Sequence, residues 1–261
     1  MTALLNVRGL NKSFGSVIAA SAIEVAVEPR EIVGIIGANG AGKTTFVNLV
    51  TGYLKPTSGS IEFAGRDITS WPPRAVIAAG ISRSFQVPQV FATAALGDKL
   101  RSACGSAENL RFPLWRPLRR PDLIARAEAL VERFAIGDYR DQAAQFLPQG
   151  VRKLLDIAMA LVRAPQLVLL DEPTSGISVE EKFAIMDLIM GVLRQQGIAV
   201  MFIEHDMEII ARYAGRVLAF VDGTIIAEGK PEAVIADPRV RRTITGELTP
   251  LRAAPATAPP P

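Results

Sequence analysis

The stretch Ile32-Val33-Gly34-Ile35-Ile36-Gly37-Ala38-Asn39-Gly40-Ala41-Gly42-Lys43-Thr44-Thr45 decides the fold. Its first five residues are a continuous apolar run, as expected of a strand covered on both faces. The next eight match G-x-x-x-x-G-K-S/T at every required position. Glycines in such a loop let successive backbone N–H groups converge on phosphate oxygens, and a following helix adds partial positive charge at its N-terminus. On this reading Gly37, Asn39, Gly40, Ala41, Gly42 and Thr45 line a nucleotide site. Lys43 reaches the β- and γ-phosphates, and the Thr44 hydroxyl ligates Mg²⁺. The bland alternative is a Gly-rich turn with a surface lysine. A strand before the loop and a helical pattern over Thr44–Thr51 after it favour the phosphate-binding reading.

Working outward, Leu167-Val168-Leu169-Leu170-Asp171-Glu172 is an apolar strand ending in two carboxylates. Ligands collect at the C-terminal ends of strands in open α/β sheets, so Asp171 can belong to the Mg²⁺ shell and Glu172 can act as general base on water. The sole histidine, His205, follows another apolar run, Ile198–Ile203. A lone histidine is more often structural, but at the end of a neighbouring core strand it could contact the γ-phosphate. Gln86 stands where this core hands over to a helical stretch and has no meaning by itself.

The 261 residues carry a net charge of +3 with acids and bases intermixed, which argues against the concentrated basic stripe of a nucleic-acid binder. One local cluster, Arg111, Arg116, Arg119 and Arg120 with Phe112 and Trp115, reads as a solvated loop or a contact with anionic headgroups or a membrane partner. No apolar stretch reaches the length of a membrane-spanning helix, and the first residues lack a secretory pattern. A single cysteine, Cys104, excludes an intramolecular disulfide, and with one histidine it excludes a conventional zinc site. Leu4–Val7, Ile23–Val27 and Gly59–Gly65 read as further strands, residues 88–161 as largely helical, and Val179–Gln196 as a helix opened by a Ser178…Glu181 capping box. The Pro/Ala-rich end, 249–261, reads as a disordered tail.

Phosphate loop, Gln86, Leu147-Pro148-Gln149-Gly150-Val151, the Asp171-Glu172 strand end and His205 occur in the order seen in the ATP-binding subunits of ABC transporters, and the chain resembles that family over about 3–248. The resemblance implies an α/β fold. Its parts are a P-loop ATPase core with a mixed sheet, an antiparallel β subdomain and a helical subdomain inserted at about 88–160, all within one nucleotide-binding domain over 1–248. It implies ATP and Mg²⁺ as ligands, and catalytic roles for Lys43, Gln86, Glu172 and His205. Gln86 joins Thr44 and Asp171 at the metal, Phe14 stacks on adenine, and Gly150 binds the nucleotide held by an opposing subunit. Permease subunits in the membrane, a second ATP-binding subunit (a sibling or another copy) and, indirectly, a solute-binding protein are the implied partners. The implied place is the cytoplasmic face of the inner membrane.

The insertion near Phe112–Pro121, the stretch Ile203-Glu204-His205-Asp206-Met207, and the end from Ala227-Glu228-Gly229-Lys230-Pro231 through Asp237-Pro238-Arg239-Val240 resemble the branched-chain amino-acid importer branch, whose relatives include amide, urea and lipopolysaccharide-export systems. Two readings compete with a transporter motor: an ABC-type ATPase acting on ribosomes or nucleic acid, and a regulatory nucleotide binder. The chain departs from the family's Leu-Ser-Gly-Gly-Gln signature. Pro148 and Val151 offer no side-chain donor, although the helix expected over Leu154–Val162 leaves an anion-attracting end nearby.

Overall fold

The computed structural model describes residues 3–84, 93–107 and 121–245. Gln86, the Arg111–Arg120 cluster and the Pro/Ala-rich end lie outside the described residues. The chain opens with β1 (Leu5–Phe14), β2 (Val17–Val27) and β3 (Ile32–Gly37), followed by α1 (Lys43–Val50), β4 (Ser58–Phe63), β5 (Arg66–Asp67), α2 (Pro73–Ala79) and β6 (Ile81–Arg83). Helices α3 (Leu96–Ala107), α4 (Pro121–Arg133) and α5 (Gln149–Leu161) intervene before β7 (Leu167–Asp171). Then come α6 (Val179–Gln195), β8 (Ala199–Ile203), α7 (Met207–Tyr213), β9 (Arg216–Val221), β10 (Thr224–Gly229) and α8 (Pro231–Ala236).

Two sheets result. One is antiparallel in the order β2-β1-β4-β5, and the other runs β10-β9-β3-β8-β7-β6 with only β9–β10 antiparallel. The apolar runs behave as two-faced strands must. Val33, Ile35, Leu167, Leu169, Met201 and Ile203 point to one side, packing with α1 and the antiparallel sheet. Ile36, Val168, Leu170, Val200 and Phe202 point to the other, against the helices. The apolar residues of α3, α4 and α5 belong to that same second cluster, so the helical insertion shares a core with the sheet.

Three sequence expectations change. Strands β1 and β2 are longer than the apolar runs Leu4–Val7 and Ile23–Val27, because a bulged ladder carries polar residues. Asn11 repairs the bulge by donating to the Gly9 carbonyl at 2.7 Å and accepting from the Ala22 N–H at 2.8 Å. Gly59, at φ 91°, crosses this bulge, and a Cβ there would lie 2.3 Å from the Gly9 oxygen. Second, α5 begins at Gln149, not Leu154. Arg152 and Lys153 precede the expected helix, yet they form the polar side of its first turns, where Arg152 donates to the carbonyls of Leu147 (2.8 Å) and Gln145 (2.6 Å). Third, in the Ser178 cap the hydroxyl accepts from the Glu181 N–H at 3.3 Å, while the Glu181 carboxylate lies 3.1 Å from that same hydroxyl. A full capping box would direct that carboxylate to the cap backbone N–H.

Phe202, fully buried in β8 at the middle of the mixed sheet, tests the shared core. Phe202→Ala should destabilise the protein by about 3–5 kcal/mol, read as a lowered urea midpoint.

Candidate active site

Strand register assembles the site. Ile32–Ile35 of β3 pair in parallel with Val200–Ile203 of β8, and Leu167–Asp171 of β7 pair with Ala199–Ile203. Ile35, Ile203 and Asp171 therefore stand level. The three chains leave the sheet together as the Gly37 loop, Glu204-His205 and Glu172. The order β9-β3-β8-β7 makes this edge the place where connections diverge, which is where open α/β sheets bind ligands.

In the phosphate-binding loop Ala38, Asn39 and Gly40 are exposed, whereas Lys43 is only 6% exposed. The Lys43 ammonium curls back on its own loop, donating to the carbonyls of Gly37 at 2.6 Å and Ala38 at 3.0 Å. Burial depresses its pKa, and the Glu172 and Asp171 carboxylates pull it partly back. Gly42 caps α1 at φ 98°, and a Cβ there would lie 2.7 Å from the Ala19 oxygen, so β2 runs alongside the loop. The same hairpin carries Phe14, paired with Val17, 48% exposed and covered on the Lys12 side by an ammonium 4.9 Å from its ring centre.

Glu172 sits at φ 48°, a left-handed conformation that a side-chain-bearing residue holds only where its surroundings insist. Its N–H donates to the Ile203 carbonyl at 3.1 Å, and its own carbonyl accepts from Lys153 Nζ at 2.8 Å and from the Ser175 N–H at 3.1 Å. This turns the carboxylate back to His205, where Oε1 lies 3.2 Å from Nε2. Beneath the pair Glu204 is 4% exposed, and its Oε1 accepts from the Thr174 N–H (2.8 Å) and hydroxyl (2.7 Å). The turn after β7 is thereby tied to the turn after β8.

Asp171 accepts at Oδ2 from Arg83 Nη2 at 2.5 Å, and Arg83 Nη1 donates to Asn48 Oδ1 at 2.6 Å. The Thr44 hydroxyl is exposed at the first turn of α1. Among the described residues no cluster of three His, Cys, Asp or Glu could hold a metal by itself. A hydroxyl plus one carboxylate fits Mg²⁺, which binds through one or two carboxylates together with substrate phosphates and water.

The structure thus brings Gly37–Thr45, Asp171, Glu172 and His205 to one edge, with the Phe14 hairpin beside it. Gly150 lies apart, in the first turn of α5, where a Cβ would meet Ile185 of α6 at 2.4 Å. Sequence reasoning missed Arg83, Asn48, Lys153 and Glu204. Glu204 was signalled by charge directly after a short apolar run; Arg83, Asn48 and Lys153 carry no such mark.

A phosphate-binding loop facing an acid–histidine pair across parallel strands defines a nucleotide-hydrolysing cassette. Residues 20–175 match the ABC transporter family, and the chain belongs to that family as an ATP-binding subunit. It is 32% identical to the high-affinity branched-chain amino acid transport ATP-binding protein LivG of Salmonella typhimurium, over 94% of this chain and 98% of that one. It is 30% identical to a probable LivG of Archaeoglobus fulgidus, covering 93% and 95%. The ADP conformation of MJ1267, an ATP-binding cassette of an ABC transporter, superposes with a TM-score of 0.85 at 29% identity, covering 95% of this chain and all of that one.

Asp206, next to His205, caps α7 through the N–H groups of Glu208 and Ile209 and pairs with Lys182. Partial burial pushes its carboxyl up, but Lys182 and the two N–H groups outweigh this and leave the pKa below the ordinary 3.8. A depressed folded-state value contributes stability that is complete above the unfolded pKa and is lost as pH falls through the folded one. Asp206→Asn, which keeps the cap, should therefore lower the urea midpoint at pH 7. The gap from wild type should close as the pH drops below 3.8.

Proposed function

We propose that this chain is the ATP-hydrolysing subunit of an importer for branched-chain amino acids or a related small polar solute, seated on the cytoplasmic face of the inner membrane. Likeness to LivG proteins along nearly the whole chain supports the solute class. The observation carrying the hydrolytic role is the Glu172–His205 pair at 3.2 Å, on the strand ends beside the phosphate-binding loop. Among the described residues no helix is long and apolar enough to cross a membrane. In this reading permease subunits supply the path and a solute-binding protein delivers the cargo.

Lys43 exchanges its two carbonyl acceptors for β- and γ-phosphate oxygens, and Phe14 stacks on the adenine. Thr44 and Asp171, with Gln86, would hold Mg²⁺, which when bound offsets phosphate charge. Glu172 takes a proton from water as its oxygen attacks the γ-phosphorus and the bond to ADP breaks. His205, oriented by Glu172, faces the transferring group. Closure of two cassettes around ATP, and their opening after hydrolysis, drive the permease between its states.

The opposing surface is unusual in this chain. Pro148 occupies the N-cap of α5 with no side-chain cap, where the family has a serine. We infer that the chain works beside a sibling ATPase with a fuller signature, completing its own site and offering the sibling a weaker one. Gly150 lies at that surface.

Glu172→Gln should lower turnover by about 10²–10⁴-fold while leaving ATP binding intact, measured by phosphate release and by fluorescent-nucleotide titration. Unimpaired turnover would remove Glu172 as the base. Pro148→Ser should stabilise α5 by about 0.5–2 kcal/mol through a new cap and should also raise the ATPase rate of the assembled transporter. Added stability with an unchanged rate would leave the cap and dismiss the weakened signature.

A further inference from the structure

We propose that Arg83 is a positioning residue for Asp171, setting which carboxylate oxygen faces the metal–nucleotide complex; this rests on reading Asp171 as the metal carboxylate. The Arg83 guanidinium joins three elements. It leaves the end of β6, donates to Asp171 Oδ2 at the end of β7 (2.5 Å), and donates to Asn48 Oδ1 on α1 (2.6 Å). Its side chain is 12% exposed, against 28% for that of Asp171, so the pair is partly screened from water.

An aspartate at a strand end can turn about its last side-chain bond, presenting either oxygen. A guanidinium is a flat fork with fixed donor directions, and held at one prong by Asn48 it determines where the other points. With Oδ2 taken, Oδ1 is the oxygen left for a metal-bound water or for the metal. Asn48 lies on the same helix as Thr44, so the clamp also relates the carboxylate to the hydroxyl expected to share the ion. Lysine could supply the charge at Asp171 but not two donors in one plane.

A positive charge beside Asp171 must also oppose a divalent cation. If charge dominated, neutralising Arg83 would tighten metal binding, and removing Asn48 would change nothing. If positioning dominates, both changes weaken it. Partners that orient metal-ligating side chains typically contribute about 10–100-fold to metal affinity or activity.

The test uses the full-length protein. Affinity for a non-hydrolysable ATP analogue is titrated in EDTA and in Mg²⁺, and Mn²⁺ binding to the protein–analogue complex is followed by electron paramagnetic resonance. Arg83→Gln should leave metal-free analogue affinity within about twofold and weaken Mn²⁺ binding by about tenfold or more. Asn48→Ala should shift Mn²⁺ binding the same way by a smaller factor, and Arg83→Lys should not restore it. Should Arg83→Gln fail to fold, Asn48→Ala and Arg83→Lys, which keep the buried charge, decide the matter. Asp171→Asn serves as the reference. If it leaves Mn²⁺ binding intact, the reading of Asp171 fails. If Asp171→Asn weakens binding while Asn48→Ala leaves it unchanged, or Arg83→Gln strengthens it, the positioning role of Arg83 is overturned.

Discussion

The level pairing of β3, β8 and β7 is the constraint on which the site depends. Parallel strands fix the height at which each chain leaves the sheet, and side chains alternate between its faces. Ile35, Ile203 and Asp171 share one level, so a lysine from the first crossover, a carboxylate from the second and a histidine from the third meet without any long loop having to find its place. A one-residue slip in β7 would send Asp171 to the opposite face and put Leu170 among water and phosphate. The apolar residues on both faces of these strands resist that slip, because it would exchange two buried faces at once.

That edge is also where the fold concentrates its polar groups below the surface. Glu204 is buried and Lys43 nearly so, and an unpaired charge in either place would be costly. Each is satisfied from within, Glu204 by the turn following β7 and Lys43 by its own loop. The left-handed Glu172 belongs to the same economy of contacts. Backbone bonds on both sides of it and the Lys153 ammonium hold a conformation the residue would otherwise abandon. The turns after β7 and β8 are consequently one hydrogen-bonded unit.

How much of this was legible in the sequence follows from the kind of interaction involved. The doubly buried strands β3, β7 and β8 announce themselves as short apolar runs, since burial on both faces leaves no polar alternation. The phosphate-binding loop is legible because its glycines and lysine are dictated by local backbone geometry. The extensions of β1 and β2 were not, because Asn11 earns its place through a bulge repair made to Ala22, a partner in the other strand. The start of α5 was hidden for a similar reason: Arg152 and Lys153 interrupt the apolar pattern, and only in the fold do their donors serve the helix start and the Glu172 turn. Arg83 and Asn48 are 35 residues apart and meet only in the folded chain. Contacts that depend on two distant segments leave no local pattern.

The self-satisfied Lys43 has a consequence for how nucleotide binding can do work. A lysine left unpaired at that depth would carry the full cost of a buried, unsatisfied charge. Bonding to the Gly37 and Ala38 carbonyls satisfies the ammonium within its own loop. In the proposed nucleotide-binding role those two bonds give way to bonds with phosphate oxygens; the ammonium is a charged donor in both cases, and the gain comes from an acceptor that is ionised as well. Burial disfavours the lysine's charged form and the Glu172 and Asp171 carboxylates favour it, so a phosphate polyanion would act in the same direction as those carboxylates. In the proposed role, the difference between the two bonding states, not the absolute depth of either, is what nucleotide binding contributes to a shift between conformations.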